Sequence, residues 1–184
     1  MNIKKIFTIL ILSLFGILQV VADERADQLN KLFNQLKIDN PTLTLEIEQK
    51  IWKIWSTHPK KNNLTLMLSK GSNLVNNDQL IEAVNVFTEV INLDPGWAEA
   101  WNKRATVFYL LGEFEKSQND INKVLELEER HFGALAGQGL VNIKLKNYEK
   151  AILSYEKAQK IYPSMKSPKI MIKEIEKLIK KQSI

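Results

Sequence analysis

Two histidines, His58 and His131, are the side chains of this 184-residue chain best suited to move protons near neutral pH. Neither sits in a spacing that a hydrolytic triad or a metal site would ask for. Cysteine is absent, which excludes disulfides and thiolate metal centres. His58 precedes Pro59 in a polar loop stretch, and His131 reads as a capping or packing residue at a junction between segments. Glu126, Glu128 and Glu129 crowd carboxylates together, but they read as a solvated acidic turn rather than a pair for acid–base work. Trp52 and Trp55 lie three apart and Trp97 and Trp101 four apart, spacings that could offer indole faces to a sugar or a peptide. The simpler expectation is core packing, for Trp52 and Trp55 against the first of the helical units described below. Asn63-Leu64-Thr65 matches a glycosylation acceptor, which a bacterial source would leave inert. No catalytic residue, cofactor site or metal site is expected, so function has to be sought in a surface.

The elements that would build such a surface begin after residue 22. Lys4 and Lys5 precede an apolar run over 6–17, and Val20-Val21-Ala22 leads into Asp23-Glu24. This is the order of a cleavable export signal covering 1–22, with the cut after Ala22. A retained anchor in the inner membrane through 6–21 is the competing reading, since the run approaches the length that crosses a bilayer. Without the leader, 24 basic residues stand against 21 acidic ones, and the excess gathers from Lys166 onward. Lysine outnumbers arginine heavily, with Arg25, Arg104 and Arg130 the only guanidinium groups, so no nucleic-acid partner is expected.

Glycine and proline are sparse and apolar residues recur at three and four, so the whole mature chain reads as helix. A first helix is expected near 24–37. Asn40-Pro41 ends it, and Thr42 or Thr44 then caps a second that carries Trp52 and Trp55. From Leu64 three stretches overlay at 34 residues. Gly71, Ala105 and Gly139 form a ladder of tiny residues, as do Ala83, Ser117 and Ala151. Phe87, Ile121 and Tyr155 form a large one. The period predicts helix pairs at 64–76 with 79–93, 97–111 with 113–127, and 131–145 with 147–161. The small residues would let paired helices approach, and the large ones would fill the space beside the contact. Lys166 to Lys181 forms a last, basic helix.

These ladders resemble the tetratricopeptide repeat family over about residues 64–165. The residues that carry the likeness are Ala98-Glu99-Ala100-Trp101 and Leu111-Gly112-Glu113-Phe114 in the middle unit. In the last unit they are Tyr148-Glu149-Lys150-Ala151-Ile152, Tyr155-Glu156-Lys157-Ala158 and Pro163. The layout also looks like small exported proteins of Gram-negative bacteria. The resemblance implies an all-α, right-handed helical-hairpin solenoid. Its parts would be an N-terminal helical cap over 23–63, units at 64–97, 98–131 and 132–165, and a capping helix over 166–184. Departures include Glu129 in place of proline, Ser117 in place of alanine, Asn142 at an apolar position, and Lys70, Arg104 and Gln138 where leucine is usual.

In that family the first helices of successive pairs line a concave groove. Carried onto this chain, the groove would use Leu68, Ser72, Val75 and Asn76, then Asn102, Thr106, Tyr109 and Leu110, then Ala136, Leu140 and Ile143. Such a lining suits a protein or peptide segment held by apolar anchors. The alternative is that the chain's own terminal helices fill it. Leu68 and Ser72 stand where a lysine and an asparagine would clamp a C-terminal carboxylate, so chaperone-tail binding is not expected. The implied role is a non-enzymatic adaptor or scaffold in the bacterial envelope, exported to the periplasm. Alternatives are a membrane-surface component, held by the uncleaved leader or the lysine-rich last helix, and an accessory subunit of an envelope enzyme.

Overall fold

The computed structural model describes residues 24–38 and 40–182. The expected export signal therefore lies outside the described residues. Nine helices follow one another among them: α1 (24–35), α2 (Pro41–Ser56), α3 (Asn62–Asn76), α4 (Leu80–Leu93), α5 (Ala98–Leu110), α6 (Phe114–Leu127), α7 (Phe132–Lys144), α8 (Tyr148–Ile161) and α9 (Lys166–Gln182). Helices α3/α4, α5/α6 and α7/α8 are hairpins stacked in sequence, an all-α solenoid.

Each hairpin bends through a residue in the left-handed region, and the three are 34 apart: Asp78 (φ 59°), Gly112 (φ 76°) and Lys146 (φ 60°). The next amide in each case closes the helix end. Gln79 N–H donates to Leu74 O at 2.9 Å, Glu113 to Phe108 at 2.9 Å and Asn147 to Asn142 at 2.8 Å. Only the middle turn uses glycine, the residue without a penalty there. The turns between units share another geometry. Trp97 N–H donates to Asp94 O, His131 to Glu128 O and Met165 to Tyr162 O. Glu129 is exposed in its turn and forms the same bend as Pro95 and Pro163, which explains why proline is dispensable there.

The two ladders meet as matched pairs. A Cβ on Gly71 would stand 2.4 Å from the Phe87 ring, and one on Gly139 2.5 Å from the Tyr155 ring. The middle unit pairs Ala105, which has a Cβ, with the slimmer Ile121. Small residue and large residue thus vary together. Ser117, in place of alanine, donates its hydroxyl to Ala105 O across the hairpin at 2.8 Å, so the buried oxygen is satisfied. Asn142 is buried and donates to Gln138 O at 2.9 Å.

At the far end α9 packs on α8 and α7, where the first helix of a further unit would stand. Ile175 is buried against Ala151 and Tyr155, and the lysines of α9 face outward. At the near end the cap of α2 differs from the expected threonines. Asn40 Oδ1 accepts from Leu43 N–H, and Pro41 follows at the first helical position, where its missing N–H costs nothing. Thr44 lies a turn into α2, buried, and Ser164 donates to its hydroxyl at 3.0 Å.

Candidate protein-binding groove

Helices α3, α5 and α7 run side by side and form the inner face of the array. The expected groove residues divide into three groups there. Leu68 is 2% exposed and belongs to the core with Leu64, Ala83 and Phe87; Val75 is half-buried beside the same cluster. Ala136 and Ile143 are half-buried against the cluster of Ala151, Tyr155 and Ile175 that α9 completes. These four are used mostly for packing. Asn102 is almost buried, and its amide donates to Glu99 Oε2 at 3.1 Å. Ser72 and Thr106 donate to Leu68 O and Asn102 O within their own helices, leaving their oxygens to accept.

What stays open is the stretch around Thr106, Tyr109, Leu110 and Leu140, with Asn76 exposed at the end of α3. Leu110 is 53% exposed and Leu140 38%, large values for leucines on an inner face. Tyr109 leans on Phe114 with ring centroids 5.6 Å apart. A trough runs between Asn102, Thr106 and Tyr109 on α5 and Gly133, Gly137 and Leu140 on α7. Gly137 was not among the expected lining residues. Its signal was the Gly133–Gly137 spacing of four, which removes side chains from one face of α7 and lowers the trough floor toward Ile121.

The other end of the inner face is closed by the chain itself. Helix α2 lies across the turns between units and touches all three. Ser164 meets Thr44, and the Tyr162 hydroxyl donates to Glu48 at 3.1 Å. Trp52 packs edge-on against His131 and Phe132 and sits where a Cβ on Gly133 would go. Trp55 stacks on His131, with centroids 3.9 Å apart and planes 9° from parallel, and its carbonyl accepts from Trp97 Nε1 at 2.8 Å. The core of this strap combines Leu29, Leu32, Phe33 and Leu36 of the α1 segment with Ile47, Ile51, Phe132 and Tyr162. The expected packing of Trp52 and Trp55 on the first unit holds only in part: Trp55 O meets Trp97 at that unit's end, while both indoles pack on His131 and Phe132, where the third hairpin begins. The turn residues that the strap meets, Trp97, His131 and Met165, recur every 34 positions along one edge.

Both histidines have carboxylate partners that the sequence spacing did not reveal. His131 Nε2 lies 3.1 Å from Glu99 Oε2, both side chains being sealed from solvent. His58 Nε2 lies 2.7 Å from Asp94 Oδ2. A histidine oriented by a carboxylate is half of a hydrolytic triad. Here, however, the second ring nitrogen is spent on backbone. His131 Nδ1 accepts from Ala134 N–H, capping α7, and His58 Nδ1 accepts from Lys60 and Lys61 N–H. With Nδ1 accepting, the proton resides on Nε2 and points at the carboxylate. Neither ring retains a free nitrogen to take a proton from a substrate. Burial, with the charge of nearby Tyr109 adding to it, pushes the Tyr155 phenol up to about 12, and its hydroxyl has no hydrogen-bond partner. Burial likewise raises the Tyr162 phenol. Neither is poised for acid–base work at neutral pH.

The tetratricopeptide repeat profile matches residues 98–131 and 133–165. A TPR repeat-containing protein of Rhizobium etli is 31% identical over 138 residues, covering 74% of this chain and 67% of that protein. The chain belongs to the tetratricopeptide repeat family. The Hsp70-Hsp90 organizing protein 1 of Glycine max is 30% identical over 95 residues, 52% of this chain, and the chain spans only 17% of that much longer relative. Among solved structures, the first TPR of Spaghetti, bound to the HSP90 peptide SRMEEVD, superposes with a TM-score of 0.62 at 20% identity. That match covers 63% of this chain and 92% of that one, and it concerns the fold. In this tetratricopeptide array three hairpins carry a strap across their turns.

Proposed function

We propose that this chain is a non-enzymatic adaptor or scaffold of the bacterial envelope that holds a peptide segment of a partner protein in the open part of its groove. The observation that carries the reading is the trough between α5 and α7, lined by Tyr109 and Leu140, with Leu110 exposed at the end of α5. Apolar anchors of a partner would enter beside Leu140, while the missing side chain at Gly137 admits close approach. The peptide-bound Spaghetti structure supports groove binding in principle. Leu68 and Ser72 replace the clamp residues, and Leu68 is inside the core, so an acidic chaperone tail is not the ligand proposed. The envelope assignment rests on the order of charge, apolar run and small residues over 1–22.

The test is a pull-down from envelope extract with the mature chain and with Tyr109→Glu and Leu140→Glu variants whose melting curves match the parent. Both variants should lose partners that the parent retains; equal recovery would overturn the groove reading. In a fluorescence titration SRMEEVD should not saturate the protein below the millimolar range. Fractionation with N-terminal sequencing should find the chain outside the cytoplasm beginning at Asp23.

A further inference from the structure

One cleft of the array is emptied and charged in a way that its counterpart one unit earlier is not. Between α4 and α6 the corresponding space is filled by Arg104. Its guanidinium makes a bidentate pair with Asp120, 2.8 Å on both arms, and donates to Thr88 at 3.0 Å. It also lies over the rings of Trp101 and Phe108. Around it, Lys116 pairs with Glu113 at 3.2 Å and Lys123 with Glu126 at 2.6 Å. Three cations meet three carboxylates there.

Thirty-four residues on, between α6 and α8, every one of those pairings is dismantled. Arg104 becomes Gln138, Asp120 becomes Ser154 and Phe108 becomes Asn142. The acids Glu113 and Glu126 become Asn147 and Lys160, yet Lys116 and Lys123 persist as Lys150 and Lys157. The result is a cleft of about 380 Å³ lined by Gln118, Asn122, Gln138, Asn147, Lys150 and Lys157, with apolar contributions from Leu145 and Leu153. That volume falls within the range of small-ligand pockets, ~300–1,000 Å³. No carboxylate is among the described lining residues, and neither lysine has an ion-pair partner among the described residues. Ser154 satisfies Gln138 Oε1 at 3.0 Å, which leaves the Gln138 NH2 group as a donor. Gln118 Oε1 is buried without a partner, an acceptor for a ligand hydroxyl or protonated oxygen. The cleft lies between second helices, away from the α5–α7 trough, and does not depend on what that trough binds.

We propose that this cleft binds a small polyvalent oxyanion, its anionic groups held by Lys150 and Lys157 and by the amide donors of Gln138 and Asn147. A cationic occupant in the space Arg104 fills one unit earlier is disfavoured, because the carboxylate that would receive it is Ser154 here. The two lysines are seven residues apart on α8, about 10 Å along the axis. Side chains of that length can converge on one ligand with two charged ends.

The experiment is isothermal titration of the mature protein with inorganic pyrophosphate and with citrate at low and moderate salt. Sedimentation with phosphatidylglycerol vesicles is the arm that separates a soluble anion from a lipid headgroup. At least one soluble probe should bind saturably with a stoichiometry near one, more weakly as salt rises. Gln138→Arg combined with Ser154→Asp rebuilds the plug of the earlier unit, and should weaken binding at least tenfold while the melting curve is kept. Lys150→Asn with Lys157→Asn should do the same through charge, whereas Lys116→Ala with Lys123→Ala should leave binding unchanged. The proposal is overturned if neither soluble probe binds. It is equally overturned if only vesicles bind, if the plugged variant binds like the parent, or if the Lys116 and Lys123 variant loses binding to the same extent.

Discussion

Replacing Gly139 by alanine should destabilise the protein, and the same replacement should become stabilising once Tyr155 is isoleucine. The Cβ of an alanine at 139 would stand 2.5 Å from Tyr155 Cζ and 2.6 and 2.8 Å from the two ε carbons, against 3.4–4 Å for ordinary contact. The ring must retreat by about 1 Å, and at 1% exposure it has nowhere to go. Overpacking of this kind costs roughly 1–3 kcal/mol, and an intrusion this deep belongs at the upper end. Alanine returns about 1 kcal/mol of helix propensity in the interior of α7, so the net loss is about 2 kcal/mol. Tyr155→Ile alone leaves a void and costs roughly 2–4 kcal/mol. In that background the clash is gone and the propensity gain remains, which reproduces the Ala105–Ile121 pair of the middle unit. The coupling energy should be about 2–3 kcal/mol, near the upper limit for residues in contact. Urea unfolding followed by circular dichroism on the four proteins of the cycle measures it. A coupling below about 0.5 kcal/mol would refute the matched-pair account of the ladders.

Tyr155→Phe should leave stability unchanged or raise it by up to about 1 kcal/mol, since it removes a buried hydroxyl without a partner. The Tyr155 pKa is raised from 10.0 to about 12, so its contribution is complete below pH 10 and is lost as pH rises toward 12; in alkaline unfolding curves Tyr155→Phe should fall less steeply than the parent over that window. Lys146→Gly and Asp78→Gly should each raise the melting temperature by relieving a left-handed backbone, about 0.5–1 kcal/mol apiece, and Gly112→Ala should lower it. Trp55→Ala should cost about 3–5 kcal/mol, and hydrogen exchange should speed up at the turn amides of Trp97 and His131 together, one unit apart in sequence.

The helix pairs and their register were legible because the pattern is local and repeated. Gly71, Ala105 and Gly139 are spaced by the unit itself, and each records how near its partner helix comes. The identity of the large partner tracks the small one, so even the depth of the contact is written in the ladder. The groove was legible only in part. Tyr109, Leu110 and Leu140 remain open, but Ile143, one unit beyond Tyr109, packs in the cluster that α9 completes, and Leu68 is buried like its counterpart Asn102. The cover that α9 places on Ile143 is an end effect, which no period records. The strap was not legible for the same reason. Trp52 and Trp55 carry an amphipathic signal that says they are covered without saying by what. Their partners, His131 and Phe132, are about 80 residues away and look like ordinary unit boundaries. Likewise the carboxylates of His58 and His131 come from Asp94 and Glu99, more than thirty residues distant, which no spacing rule searches.

An array whose units touch only their neighbours can in principle gain or lose a unit without rebuilding the rest. The strap removes that freedom. From Thr44 to Trp55 it offers about 17 Å of rigid rod, and its ends are fastened to the third and the first turn between units. It therefore acts as a gauge for the molecule: the length of one helix is matched to the distance over which three hairpins are stacked. A fourth hairpin inserted between α6 and α7 would carry Tyr162 and Ser164 beyond the reach of Glu48 and Thr44. It also makes the three hairpins respond as one body, so the width of the trough between α5 and α7 is set from a helix that forms neither of its walls.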